Sequence, residues 1–205
     1  MSVDDIASEI ALRELYGQPI ERARLKSLRK LDGHCASFIR LSPLVCLGTS
    51  GEYGADVTPR GDRPGFVQVL DEGTIAIPDW PGNNRLDSLV NILSNPKVGL
   101  LFLVPGMDET LRINGLARIT TKPEILALWD VNGKSPKSAL VIAIDEAFLH
   151  CGKALIRSRL WHDDHKIDRA HLPSYGRMLK DQIDIADTAE DIEASVAKGY
   201  KEKLY

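Results

Sequence analysis

The stretch Pro78-Asp79-Trp80-Pro81-Gly82-Asn83-Asn84-Arg85 puts two asparagines and an arginine where an apolar run ends and a helical pattern begins. A helix start offers free backbone N–H groups and the positive end of its dipole, and a guanidinium can grip two oxygens of one anion. Asn83, Asn84 and Arg85 therefore form a candidate phosphate site, with Pro78 and Asp79 on its approach. Simple N-capping by Asn84 uses the same residues and is compatible with anion binding, so the residues alone leave both open. A second candidate is Arg60-Gly61-Asp62, where a glycine beside an arginine at a strand end lets backbone amides and a guanidinium approach one anion. A hairpin turn explains the same three residues.

The run from His150 to Trp161 combines Lys153, Arg157 and Arg159 with a terminal aromatic. Its cations could meet phosphate and Trp161 could cover a planar ring, but a solvated basic helix with Trp161 packed in the core fits equally. His162-Asp163-Asp164-His165 suggests a metal, yet it lacks a third ligand and the spacing of helical zinc sites, so no metal is assigned. His34, His150 and His171 could transfer protons, although isolated histidines are more often packed or solvent-facing, and no general base is assigned. Nucleophile-elbow, Walker and dinucleotide Gly-x-Gly-x-x-Gly patterns are absent, which removes the commonest hydrolase, nucleoside-triphosphate and NAD chemistries.

These candidates need a scaffold, and the composition supplies an ordinary one. With 43% hydrophobic and 27% charged residues in a chain of 205, a single globular core is expected. A net charge of −3 gives no global attraction to nucleic acid or anionic membranes, so any anion site must be local. The acidic start Met1-Ser2-Val3-Asp4-Asp5 lacks the basic n-region and apolar h-region of an export signal, and Val98 to Val104 is too short to cross a bilayer. Cys35, Cys46 and Cys151 are too few and scattered for a disulfide framework, so they are expected to be buried thiols in a reducing cytoplasm.

The pattern predicts one helix over Val3 to Tyr16, opened by Ser2 and closed by Gly17, and a second over Pro19 to Leu31 with Gly33 as its stop. Short β-rich runs follow at Ser37 to Leu41, Leu44 to Thr49, Asp56 to Pro59, Phe66 to Leu70 and Thr74 to Ile77, separated by Gly/Asp/Pro turns. A helix from Arg85 to Leu93 interrupts the meander before Asn95-Pro96. Strands resume at Val98 to Val104, Leu111 to Thr120 and Ala139 to Ile144, with a helix near Pro123 to Trp129 and a terminal helix within Thr188 to Tyr205. The result is a mainly β fold with peripheral helices, and barrel formation is the favoured way for its sheet to manage exposed edges.

Three motifs carry a family resemblance: Thr58-Pro59-Arg60-Gly61-Asp62, Ile77-Pro78-Asp79 through Asn83-Asn84-Arg85, and His150-Cys151-Gly152-Lys153-Ala154, with Leu111-Arg112-Ile113-Asn114-Gly115 between. In these the chain resembles the pyridoxamine 5'-phosphate oxidase-related FMN-binding proteins, over roughly residues 20 to 205. The resemblance implies an antiparallel, Greek-key-like split β-barrel of six strands with helical N- and C-terminal extensions. Residues 1–33 would form the N-terminal extension, 34–165 the barrel and 166–205 a tail packed on it. It further implies a homodimer with FMN in two grooves at the subunit interface and a small-molecule substrate, while the charge balance leads us to expect no nucleic-acid or membrane partner. Thr58, Pro59, Arg60 and Gly61 would underlie the isoalloxazine, Pro78 and Asp79 would flank the ribityl chain, and Asn83, Asn84 and Arg85 would hold phosphate. Lys153, Arg157 and Trp161 would contact flavin or substrate. The implied activity is an oxidoreductase with hydride transfer at flavin N5. The alternatives are non-catalytic FMN storage or sensing, or a barrel that binds haem or a deazaflavin. The tail from Ser174 to Tyr205 lacks the basic and aromatic substrate residues of true pyridoxamine-phosphate oxidases, which argues against vitamin B6 oxidation.

Overall fold

In the computed structural model, residues 5–52 and 54–202 are described. Seven strands form one antiparallel sheet: β1 Leu44–Gly51, β2 Gly54–Gly61, β3 Gln68–Asp71, β4 Thr74–Asp79, β5 Lys97–Leu103, β6 Thr110–Thr120 and β7 Ser138–His150. Their order is β2-β1-β5-β6-β7-β4-β3. Alternation explains which way the sheet curls. Val45 and Leu47 of β1, Val98, Leu100 and Phe102 of β5, and Leu111 and Ile113 of β6 are buried on one face, while Cys46, Gly48, Leu101, Arg112 and Asn114 lie on the other. The buried faces meet in one core with Ile75 and Ile77 of β4 and Leu140 and Ile142 of β7.

The edge strands β2 and β3 do not pair, so the sheet curls into a split barrel without closing it by hydrogen bonds. An ion pair between Arg60 on β2 and Asp79 at the end of β4 spans the opening. The outer side of β4 and β7 carries a second apolar cluster of Ala76, Ala139 and Val141 under Trp129, whose indole N–H donates to the Phe66 carbonyl. This cover explains why Ile75, Ala76, Ile77 and Pro78 are buried in succession rather than alternately.

Eight α-helices are described: α1 Glu9–Tyr16, α2 Glu21–Leu25, α3 Gly33–Leu41, α4 Asp87–Ser94, α5 Pro123–Leu126, α6 Lys153–Ser158, α7 Tyr175–Gln182 and α8 Ala189–Glu202. The expected strand Ser37 to Leu41 is instead the second half of α3. Asp32 caps that helix by accepting from the Cys35 amide at 2.7 Å, and Cys35, Phe38 and Ile39 then bury one helical stripe. The helix expected to reach Leu31 stops after Leu25, because Leu28 exchanges backbone hydrogen bonds with Ala147 of β7. Gly33 begins a helix rather than ending one. The hydroxyl of Ser8 caps α1; the expected cap Ser2 lies outside the described residues. Of the three thiols only Cys35 is buried, with Cys46 half-buried and Cys151 exposed where the chain leaves β7.

Candidate functional site

A cavity of about 310 Å³ opens where β2, the end of β4 and the start of α4 converge. The register of β2 on β1 decides which candidates reach it. Thr58 lies opposite Leu47 and Arg60 opposite Val45, so both side chains point inward and line the cavity. Pro59 and Gly61, opposite Cys46 and Leu44, belong to the outer face. Asp79 lines the cavity, but Pro78 is buried on the other side of its strand, opposite Ala139. Asn83, Asn84 and Arg85 also line it.

Helix α4 begins later than expected, at Asp87 rather than near Asn84. Asn84 and Leu86 adopt the left-handed conformation, each with φ 61°, and the Asn83 side chain accepts from the Arg85 amide at 3.1 Å. Asn84 is therefore not the cap. No side chain caps the helix, and the first amide with a helical acceptor is that of Val90, 2.9 Å from the Leu86 carbonyl. The amides of Asp87, Ser88 and Leu89, all cavity-lining residues, are left for an outside acceptor at the positive end of the dipole.

Behind these amides the floor is tied down by hydroxyls. The buried Ser88 hydroxyl donates to Asp56 at 3.3 Å, so the Thr58 hydroxyl, 3.0 Å away, donates to Ser88. One helical turn on, the Asn91 side chain donates to Thr49 at 3.1 Å and fixes α4 against β1. Arg60, Arg85 and Lys137 bring three cations to the cavity against two carboxylates, Asp79 and Asp87. Arg60 pairs with Asp79 in a largely desolvated contact, and its Nε is buried without a partner. Arg85 is mostly exposed and pairs with Asp87 at 2.9 Å. Lys137 is held beside Asp79 by its own amide, which donates to the Asp79 carbonyl. The cavity thus carries one excess cation together with an open helix start, a combination suited to a phosphate or carboxylate.

Lys153, Arg157 and Trp161 are not part of this cavity. Lys153 and Arg157 are exposed on α6, and the half-buried Trp161 donates its indole N–H to the Met107 carbonyl at 2.8 Å. Helix α6 instead borders a second cavity, of about 450 Å³, on the outer sheet face. Its floor includes the cross-strand glycine pair Gly48 and Gly99, its walls are Cys46, Val57, Leu101, Ala154 and Leu155, and its polar end holds Thr110, Arg112, Asn114 and His150. Burial, and then the charges of Lys26 and Arg112, hold His150 below the usual imidazole range. Glu146 sits below its usual carboxylate range because Ser27 and Asn114 donate to it. His34 and His171 are exposed elsewhere, and no group of three metal-ligating side chains occurs among the described residues.

Ser88 and Lys137 escaped the sequence. The one local signal for Ser88 is that it shares a helical stripe with Asn91 and Ile92, whereas nothing local marks Lys137, which reaches the site through the pairing of β4 with β7.

Residues 31–151 match the profile of the pyridoxamine 5'-phosphate oxidase family, a match spanning more than half of the sequence. The chain belongs to this family. No curated protein matches it. Among solved structures it is similar to HupZ of Group A Streptococcus, with 18% identity over 58% of this chain and 93% of that one, at a TM-score of 0.48. A pyridoxamine 5'-phosphate oxidase-like protein of Lactobacillus delbrueckii shares 20% identity over 59% and 95%, at 0.45. An FMN-binding protein of Syntrophomonas wolfei shares 16% over 69% and 96%, at 0.43. Among the described residues no helix is long and apolar enough to cross a membrane.

Proposed function

We propose that this family member is a cytoplasmic FMN-binding protein that acts, through the flavin, as an oxidoreductase on a small molecule. The observation that carries the proposal is the uncapped start of α4 opening onto a cavity that also holds Arg60, Arg85 and Lys137. A phosphate monoester fits this donor set. The amides of residues 87–89 and the Arg85 guanidinium take its oxygens, while Lys137 and Arg60 offset its second charge. Asn83 orients this turn by accepting the Arg85 amide, and Thr58 and Asp79 border the passage toward the ring end. Trp80, Pro81, Leu86 and Leu89 supply apolar edges. When bound, the flavin supplies hydride acceptance and donation at N5, and the protein supplies position, charge and exclusion of water.

The outer sheet face supports the dimeric arrangement. Val57 is 69% exposed, Leu116 42% and Leu44 37%, so an apolar surface lies uncovered around the glycine floor. In the proposed homodimer that face, with Lys153, Arg157 and Trp161 of α6 and its following turn, meets the partner and helps to close the partner's flavin site. The test is direct. The purified protein should show flavin absorbance bands or acquire them with added FMN. A Soret band, or a colourless protein that refuses FMN, would defeat the proposal. Anaerobic mixing with NADH or NADPH then separates an enzyme, which bleaches, from a storage or sensing protein, which stays yellow with a panel of donors.

A further inference from the structure

We propose that Thr58 is a one-way hydrogen-bond acceptor in the cavity at the start of α4, held so by the positioning residues Asp56 and Ser88, and that it selects a phosphate ester carrying a hydroxyl donor beside the phosphate. This names the ligand group read next to the phosphate and rests on the FMN reading, because the ribityl chain of FMN is such a polyol.

The polarity follows from where the protons go. Asp56, Thr58 and Arg60 share one face of β2, opposite Thr49, Leu47 and Val45 of β1. A carboxylate only accepts, so the bond at 3.3 Å runs from the Ser88 hydroxyl to Asp56. Ser88 is 2% exposed and has then committed its one proton, so the contact at 3.0 Å runs from Thr58 to Ser88. Thr58 has in turn committed its own, and it faces the cavity with lone pairs alone. Running the chain the other way would take the proton from between Ser88 and the carboxylate and lose the charge-assisted bond, the strongest of the set.

The same chain fixes where this acceptor sits. Ser88 is the middle residue of the three whose amides open at the start of α4, and its hydroxyl touches Thr58, so the ester chain of a phosphate on those amides begins within reach of Thr58. Arg60, Arg85 and Lys137 supply the positive charge, and Arg60 Nε is buried without a partner. The cavity is thereby divided into cations and amide donors for the phosphate and a bare acceptor for the group that follows. A hydroxyl there donates to Thr58. A carbonyl, an ether or a second phosphate has only lone pairs to set against lone pairs and is rejected, because specificity of this kind comes from the unpaired alternative.

The probes are 1,2-propanediol 1-phosphate and hydroxyacetone phosphate, which differ by an alcohol or a ketone next to the phosphate-bearing carbon. Each is titrated calorimetrically into flavin-free full-length protein, with FMN titrated alongside. Wild-type protein should bind the alcohol at least about fivefold more tightly than the ketone, as one hydrogen bond allows. Asp56→Asn should shrink that preference below about twofold, because an asparagine amide can donate to Ser88 and let the chain run either way. A merely structural role for Asp56 would weaken both fragments alike. Thr58→Val should erase the preference by weakening the alcohol more than the ketone. Equal affinities in wild type, failure of the alcohol to bind, or a preference that survives Asp56→Asn would overturn the proposal, and the FMN reading stands if FMN still binds. If wild-type protein refuses FMN but shows the alcohol preference and its loss in Asp56→Asn, the FMN reading fails and the polyol-phosphate site stands. Should Asp56→Asn not fold, Ser88→Ala, which also frees the Thr58 proton, decides in its place; should neither fold, the fragment pair on wild-type protein decides alone.

Discussion

Replacing Arg60 by alanine should weaken FMN binding by roughly 10- to 150-fold. The side chains of Arg60 and Asp79 are 23% and 14% exposed, so the pair works in a partly desolvated cleft where charges interact several times more strongly than in bulk water. Two unit charges roughly 6–11 Å apart at an effective dielectric of about 20 interact by about 1.5–3 kcal/mol, and each 1.4 kcal/mol is a tenfold change in affinity. Alanine also leaves the Asp79 carboxylate uncompensated beside an incoming phosphate, which pushes the loss toward the upper end. The companion substitution Asp79→Asn reverses the sign, because it frees the Arg60 guanidinium from its competitor and should tighten FMN several-fold. Fluorescence quenching of FMN titrated with each variant measures both changes, with circular dichroism confirming that each is folded. If Arg60→Ala binds FMN like wild type, or if Asp79→Asn and Arg60→Ala weaken it equally, the pair serves only to span the open barrel and the electrostatic argument is wrong.

Other perturbations test other parts of the account. Arg85→Ala should lower FMN affinity more than Arg157→Ala, and equal losses in the same titration would show that the phosphate is not at the start of α4. Gly115→Ala should cost about 1–3 kcal/mol and lower Tm by up to roughly 10 °C in thermal melts, because its Cβ would sit 2.2 Å from the Ala143 carbonyl oxygen at the point where the β6–β7 register shifts. Asp32 and Glu146 are both held below their ordinary values of 3.8 and 4.5, the first mainly by the Cys35 amide and the second by Ser27. Their contribution is present above those values and lost as pH falls through the lower folded ones, so denaturant midpoints should drop below about pH 4. Asp32→Ala should shrink that drop and, through loss of the cap, cost about 1 kcal/mol at neutral pH. Burial, reinforced by Asp32, pushes the Cys35 thiol up to about 11, so a thiol reagent at pH 8 should label Cys151 first and Cys35 only on unfolding.

The positions of the strands from Leu44 onward were legible because alternation marks β1, β5 and β6 and Gly, Asp or Pro marks the turns, although β7 runs on to His150, beyond the expected end at Ile144. Ser37 to Leu41 misled because Phe38 and Ile39 are good strand formers in isolation, and only the cap at Asp32 and the stripe from Cys35 to Ile39 reveal the helix. The stop after Leu25 was invisible locally, since it depends on Ala147, more than a hundred residues away. Within the site, Arg60, Asp79 and the 83–85 turn were readable as anion chemistry at a strand end and a helix start. Their partners were not. The register that turns Thr58 and Arg60 inward and Pro59 and Gly61 outward is a property of β1 as much as of β2. Lys137 enters only through the β4–β7 pairing, and the glycine-floored outer cavity exists only when Gly48 and Gly99 are brought opposite each other.

The central claim is that the phosphate of FMN is held at the open start of α4, and comparing FMN with riboflavin tests it most directly. Both share the isoalloxazine and ribityl chain, and only FMN carries the anion. Calorimetric titration of flavin-free protein should give one FMN per chain, with riboflavin binding at least tenfold more weakly. Equal affinity for the two, or binding of neither, would contradict the account.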